Sequence, residues 1–99
     1  MNLSRDEVLA QLEKNREAIR RYGVRRIGLF GSCARGEASP TSDLDFLVEF
    51  ERKTFDGYMD LKDFLERQFD CRVDLVLADT LKPRIRERIL QETIYATGL

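Results

Sequence analysis

Apolar positions recur along this chain at two spacings, and the switches between them mark out its elements. Val8, Leu12, Ile19 and Tyr22 follow helical spacing. Ser4 with Glu7 reads as a capping box, in which side chain and backbone at the first turn satisfy each other's donors. Together they predict one amphipathic helix over residues 5–22, ended by Gly23. The period then shortens to two. Val24 to Phe30 reads as a strand in which Ile27 and Leu29 alternate with their neighbours, and Leu44 to Phe50 reads as a second. Between them Gly31-Ser32 turns out of the first strand, Cys33 to Glu37 can make only a short helical piece, and Ser39-Pro40-Thr41 breaks it. A polar connection from Glu51 to Gly57 leads to a helix over residues 58–69, capped by Asp56, with Leu61, Phe64, Leu65 and Phe69 inward. Residues 72–77 predict a third strand, with Val73, Leu75 and Leu77 on one face and Asp74 on the other. Asp79 or Thr80 caps a last helix that takes Pro83 in its first turn, uses Ile85, Ile89 and Leu90 as its core stripe and ends near Gly98. The order α-β-(short α)-β-α-β-α predicts an α/β fold in which helices cover a small sheet.

Composition narrows the class. A chain of 99 residues is near the commonest domain size, so residues 1–99 are read as one domain with one modest core. With 42% hydrophobic and 35% charged residues it is globular rather than disordered. Its apolar runs are too short to span a bilayer, and no charged n-region with an apolar h-region opens it, so neither a membrane nor secretion is expected. Cys33 and Cys71 match no metal or redox spacing, and a cytoplasmic protein with reduced thiols is the simplest reading. A net charge of −1 argues against a dedicated nucleic-acid binder. Arg16, Arg20, Arg21, Arg25 and Arg26 cluster early and Lys82, Arg84, Arg86 and Arg88 late; either group could meet an anionic ligand or an acidic partner, but solvated helix faces are the better reading for most of them. The chain has no histidine, so acid–base chemistry must come from carboxylates, Lys, Tyr or Cys.

Asp43 and Asp45 stand one residue apart where the second strand begins. Alternate side chains of a strand share a face, so both carboxylates point one way while Leu44, Phe46 and Val48 face the core. Paired carboxylates repel each other unless a cation sits between them. Magnesium suits the pair, because it prefers one or two carboxylates plus phosphate oxygens. The Gly31-Ser32 turn upstream offers backbone N–H groups and the Ser32 hydroxyl to that phosphate. Asp74 is the third strand carboxylate with apolar neighbours on both sides. Three such groups converging make a two-metal phosphoryl-transfer site. In it Asp43 and Asp45 ligate magnesium, and Asp74 ligates the second ion and serves as base. The structural alternatives are a salt bridge from Asp74 to an arginine, an ordinary strand-to-helix turn at Gly31-Ser32, and a surface ion pair of Arg35 with Glu37 or Asp43.

Gly31-Ser32 followed by Ala34-Arg35-Gly36, then Ser42-Asp43-Leu44-Asp45, resembles the signature of the minimal nucleotidyltransferase family, part of the DNA polymerase beta-like nucleotidyltransferase superfamily. The chain length, Asp74 within Val73-Asp74-Leu75-Val76, and the ending from Leu81-Lys82-Pro83 to Gln91-Glu92 extend the resemblance over nearly the whole chain. It implies a mixed sheet flanked by helices, like the polymerase beta palm, with the carboxylates at the edge of a cleft. It implies ATP as donor, two magnesium ions, Gly31 and Ser32 on the triphosphate, and Arg35 supporting the phosphates or the turn. Many such proteins are antitoxins paired with a small helical HEPN ribonuclease toxin, and transfer AMP from ATP to a toxin tyrosine. A HEPN toxin in a heteromeric complex is therefore the implied partner. Two rival readings are an antitoxin that neutralises by binding alone, and a small-molecule nucleotidyltransferase working with a separate helical subunit. Related enzymes that act on antibiotics or tRNA carry an extra domain to grip the acceptor; its lack here favours a protein acceptor.

Overall fold

The computed structural model describes residues 3–37 and 43–98. Its helices are α1 (Arg5–Lys14), α2 (Arg16–Arg21), α3 (Gly31–Ala34), α4 (Phe55–Phe69) and α5 (Pro83–Glu92); its strands are β1 (Val24–Phe30), β2 (Leu44–Phe50), β3 (Val73–Leu77) and β4 (Ile94–Tyr95). The strands form one sheet in the order β3-β2-β1-β4. β1 runs antiparallel to β2 and β4, while β2 and β3 are parallel and joined by the α4 crossover that parallel neighbours require. The sheet is thus mixed, in an α/β fold.

The two-residue period of the strands divides the core. Leu29, Leu44, Phe46, Val48 and Leu75 face a main cluster with Val8 and Leu12 of α1, Ile19 of α2, and Leu61, Leu65 and Phe69 of α4. Phe30 and Leu47 face the other way, into a smaller cluster with Ala78, against which Val76, Leu81, Ile89 and Leu90 pack. Asp45 and Asp74, on the same parity as Leu47 and Val76, belong to this thinner side. Gly28 lets β4 close the sheet, since a Cβ there would lie 2.5 Å from Thr93 Cγ2 and 3.0 Å from the Ile94 carbonyl oxygen.

Several local expectations are corrected. The helix over 5–22 divides at Asn15, which has φ −101° and ψ 17°. Its Nδ2 donates to the Gln11 carbonyl at 2.8 Å, beside its own N–H, which keeps the helical bond to that oxygen at 3.1 Å. The capping box is present: Ser4 Oγ accepts from Glu7 N–H and Glu7 Oε1 from Ser4 N–H. α3 begins at Gly31 rather than Cys33. Thr54, not Asp56, caps α4, its Oγ1 accepting from Gly57 N–H at 2.9 Å. Asp79 and Thr80 form a 3₁₀ turn instead of capping α5, which starts on Pro83 without a side-chain cap. α5 ends at Glu92, not near Gly98, because Ile94-Tyr95 leaves it to pair with β1. Nor is its stripe a core: Ile85 is exposed and Ile89 and Leu90 are half-buried. The expected break at Ser39-Pro40-Thr41 lies outside the described residues.

Candidate active site

The parallel ladder sets Asp45 of β2 directly opposite Asp74 of β3, and the antiparallel one sets Asp45 opposite Phe30, the last residue of β1. Paired residues of neighbouring strands carry their side chains on one face about 4.8 Å apart. Two carboxylates therefore share the thin face of the sheet, beside the point where the chain leaves β1. Asp43 precedes β2 by one residue and is exposed, so the strand ladder does not hold it as the strand reading assumed. Asp74 is exposed and Asp45 half-buried.

Gly31 brings the turn against this pair. It has φ +78°, and a Cβ on it would lie 2.1 Å from Asp45 Oδ2. Both the backbone conformation and the lack of space require glycine here. Ser32 follows in α3, half-buried, and its carbonyl accepts from Glu37 N–H at 2.8 Å. Arg35 closes α3 and makes two ion pairs, Nε to Glu37 at 3.3 Å and Nη1 to Glu92 at 3.1 Å. The pair with Glu37 is the surface alternative to a phosphate contact; Asp43 is not its partner among the described contacts.

Glu92 is the residue that sequence reasoning missed. From the end of α5 its Oε2 accepts both the Gly31 N–H, at 2.7 Å, and the Arg35 guanidinium. The run Thr93-Ile94-Tyr95, two β-branched residues and an aromatic one, was the signal that α5 stops at this point.

These charges leave their mark on Asp45. Burial, then the Asp74 and Asp43 carboxylates, push its carboxyl from 3.8 up to about 6; Arg35 opposes the shift and Glu92 adds to it. An acid so raised, among hard oxygen donors, is the setting a magnesium ion relieves. Among the described residues, no three His, Cys, Asp or Glu side chains stand close enough to hold a metal by themselves. Two carboxylates completed by phosphate oxygens is thus the arrangement these residues fit. Cys33 is buried and its thiol is pushed up by that burial, which makes it a poor nucleophile. Tyr58 of α4 donates its hydroxyl to the Leu75 carbonyl at 2.5 Å and so pins β3 next to Asp74. A cleft of about 330 Å³ opens between the start of α1 and Cys33 and Gly36, and none of the three aspartates lines it. No helix among the described residues is long and apolar enough to cross a membrane.

Residues 12–96 match the profile of the nucleotidyltransferase domain. Among curated relatives, the protein adenylyltransferase MntA of Thermococcus cleftensis is 40% identical over 95 residues, covering 94% of this chain and 96% of its own. The solved structure of a proposed minimal nucleotidyltransferase superposes with a TM-score of 0.73 at 45% identity, covering 87% of this chain and 93% of the other. A Shewanella oneidensis complex of a tri-AMPylated HEPN toxin with its MNT antitoxin shares the fold, with a TM-score of 0.66 at 19% identity over 93% of this chain and 73% of that one. The profile match and the 40% identity, each over most of the length, show the family: the chain belongs to the nucleotidyltransferase domain family, among the minimal nucleotidyltransferases related to MntA.

Proposed function

We propose that this chain is a magnesium-dependent protein adenylyltransferase that moves AMP from ATP to a tyrosine hydroxyl of a partner HEPN toxin, and so acts as the antitoxin. The observation that carries the reading is the register of Asp45 against Asp74 beside the Gly31 turn. Gly31 N–H, Ser32 and Arg35 bind the triphosphate. Asp43 and Asp45 hold magnesium together with phosphate oxygens, and Asp74 contributes to a second ion. The bound ions supply charge neutralisation on the phosphates and a lowered pKa for the attacking hydroxyl. Asp74, exposed at the sheet edge, accepts the tyrosine proton. The tyrosine oxygen bonds to the α-phosphorus, the bond from that phosphorus to the bridging oxygen breaks, and pyrophosphate leaves.

Exposure supports a macromolecular acceptor. Asp43 and Asp74 open to solvent rather than lining an enclosed cavity, so a tyrosine presented by another protein can reach them. The relatives named protein adenylyltransferase, and the tri-AMPylated toxin beside its antitoxin, support the same acceptor class.

Mass spectrometry tests the proposal. A partner HEPN toxin is incubated with this chain, ATP and magnesium, and the Asp43→Ala/Asp45→Ala variant serves as control. Added mass in whole AMP units on a tyrosine, absent with the variant, is expected. A stable complex without added mass would leave neutralisation by binding alone. AMP on a small hydroxylated compound, and none on protein, would point to a small-molecule enzyme.

A further inference from the structure

Glu92 brings a negative charge into a site that already concentrates carboxylates. It reaches the Gly31 turn from 61 residues away. One of its oxygens, Oε2, takes two donors at once: the Gly31 backbone N–H at 2.7 Å and Arg35 Nη1 at 3.1 Å. Its side chain is 23% exposed, so the contacts are partly shielded from water, which strengthens charge-assisted hydrogen bonds. Asp45 lies against the same glycine. A fourth carboxylate beside Asp43, Asp45 and Asp74 is repelled by them, and among the described contacts the two donors hold it there. A single anionic oxygen bridging a backbone amide and a guanidinium is also how a phosphate oxygen would sit.

We propose that Glu92 is an intramolecular competitor of the nucleotide: its carboxylate occupies the anion position formed by Gly31 N–H and Arg35, and the triphosphate must displace it. This rests on the nucleotidyltransferase reading and deepens it, since Glu92 then sets nucleotide affinity without taking part in bond making. The exchange asks only the Glu92 side chain to swing out, because the helix end itself is held by the pairing of Ile94 and Tyr95 with β1. Displacement also frees Arg35 to pair with phosphate, so one movement exchanges both contacts. A ligand that shifts such an equilibrium does so only through its differential affinity for the two states, which here is the exchange of one anion for another.

Calorimetric titration of the whole chain with AMP-PNP and magnesium tests this, comparing wild type, Glu92→Gln and Glu92→Ala. Removing the competing charge is expected to tighten AMP-PNP binding about five- to twentyfold, the scale of a typical coupling between two sites. A glutamate that merely braces the turn predicts the opposite sign, so equal or weaker binding by both variants, in the presence of wild-type binding, overturns the inference alone. A wild-type chain that takes up no AMP-PNP overturns the nucleotidyltransferase reading and this inference with it. Thermal melts of the three proteins identify a variant that fails to fold, and the other variant then decides.

Discussion

Replacing Asp45 by asparagine should stabilise the metal-free protein while abolishing AMP transfer. Asp45 is pushed from 3.8 to about 6 by burial and by Asp74 and Asp43. One pKa unit is worth about 1.4 kcal/mol, so the full displacement would be worth about 3 kcal/mol. The side chain is only half-buried, and solvent screening brings this to about 1–2 kcal/mol. The sign follows from proton counting. The unfolded chain releases the Asp45 proton near its ordinary value, whereas the folded chain keeps it to about 6. Between those values the unfolded state binds fewer protons, so stability falls as pH rises through the window, and the deficit is complete above it. The neutral amide of Asp45→Asn carries no such deficit. In EDTA at pH 7.5, Asp45→Asn should melt higher by about 4–16 °C, given about 4–8 °C per kcal/mol for a domain of this size. The advantage should shrink steeply toward pH 4. Magnesium should raise the wild-type midpoint and leave the variant's unchanged. A variant that melts no higher at pH 7.5, or whose advantage is the same at pH 4, would refute the reasoning, because the repulsion assigned to Asp45 would then not be felt by the fold.

Gly31→Ala combines a left-handed backbone with a clash on Asp45, and should cost about 1–3 kcal/mol in urea unfolding and remove AMP transfer. Gly36→Ala has a similar φ, +74°, with open space around it; it should cost about 1–2 kcal/mol and leave transfer measurable, which separates strain from obstruction. Tyr58→Phe deletes the hydrogen bond to the Leu75 carbonyl and should lower stability by about 0.5–1.5 kcal/mol by the same unfolding measurement. Phe46→Ala, at a fully buried ring packed 5.7 Å from that of Phe69, should cost about 3–5 kcal/mol, a large share of what such a domain has, and is checked by the shift in urea midpoint.

The strands β1 and β2 were legible because alternation and turn residues agree at both ends of each. The aspartates were legible because acidic side chains are out of place in an apolar strand. Which aspartate faces which was not, since strand register is a tertiary property: Asp45 opposite Asp74 follows from the parallel pairing, which the local pattern does not encode. Thr54 and Asp56 are both good capping residues, and only the observed bond to Gly57 separates them. β4 escaped notice because two residues make no period. With it went the end of α5 and the placement of Glu92, whose partners lie far off in sequence. Asn15 divides a helix whose apolar spacing continues across it, so the spacing alone did not reveal the break.

The sheet also acts as a partition. Its thick side, filled by Val8, Leu12, Ile19, Leu61, Leu65 and Phe69, is where burial is greatest; its thin side carries Asp45, Asp74 and the helix that bears Glu92. Heritable change is then sifted by two separate criteria. Substitutions on the first side are judged by whether the chain folds, and those on the second by what it can bind and modify. The exposed turns of α5 can be rewritten without repacking a single residue under α1 and α4. A designer has the same freedom, and the same place to begin.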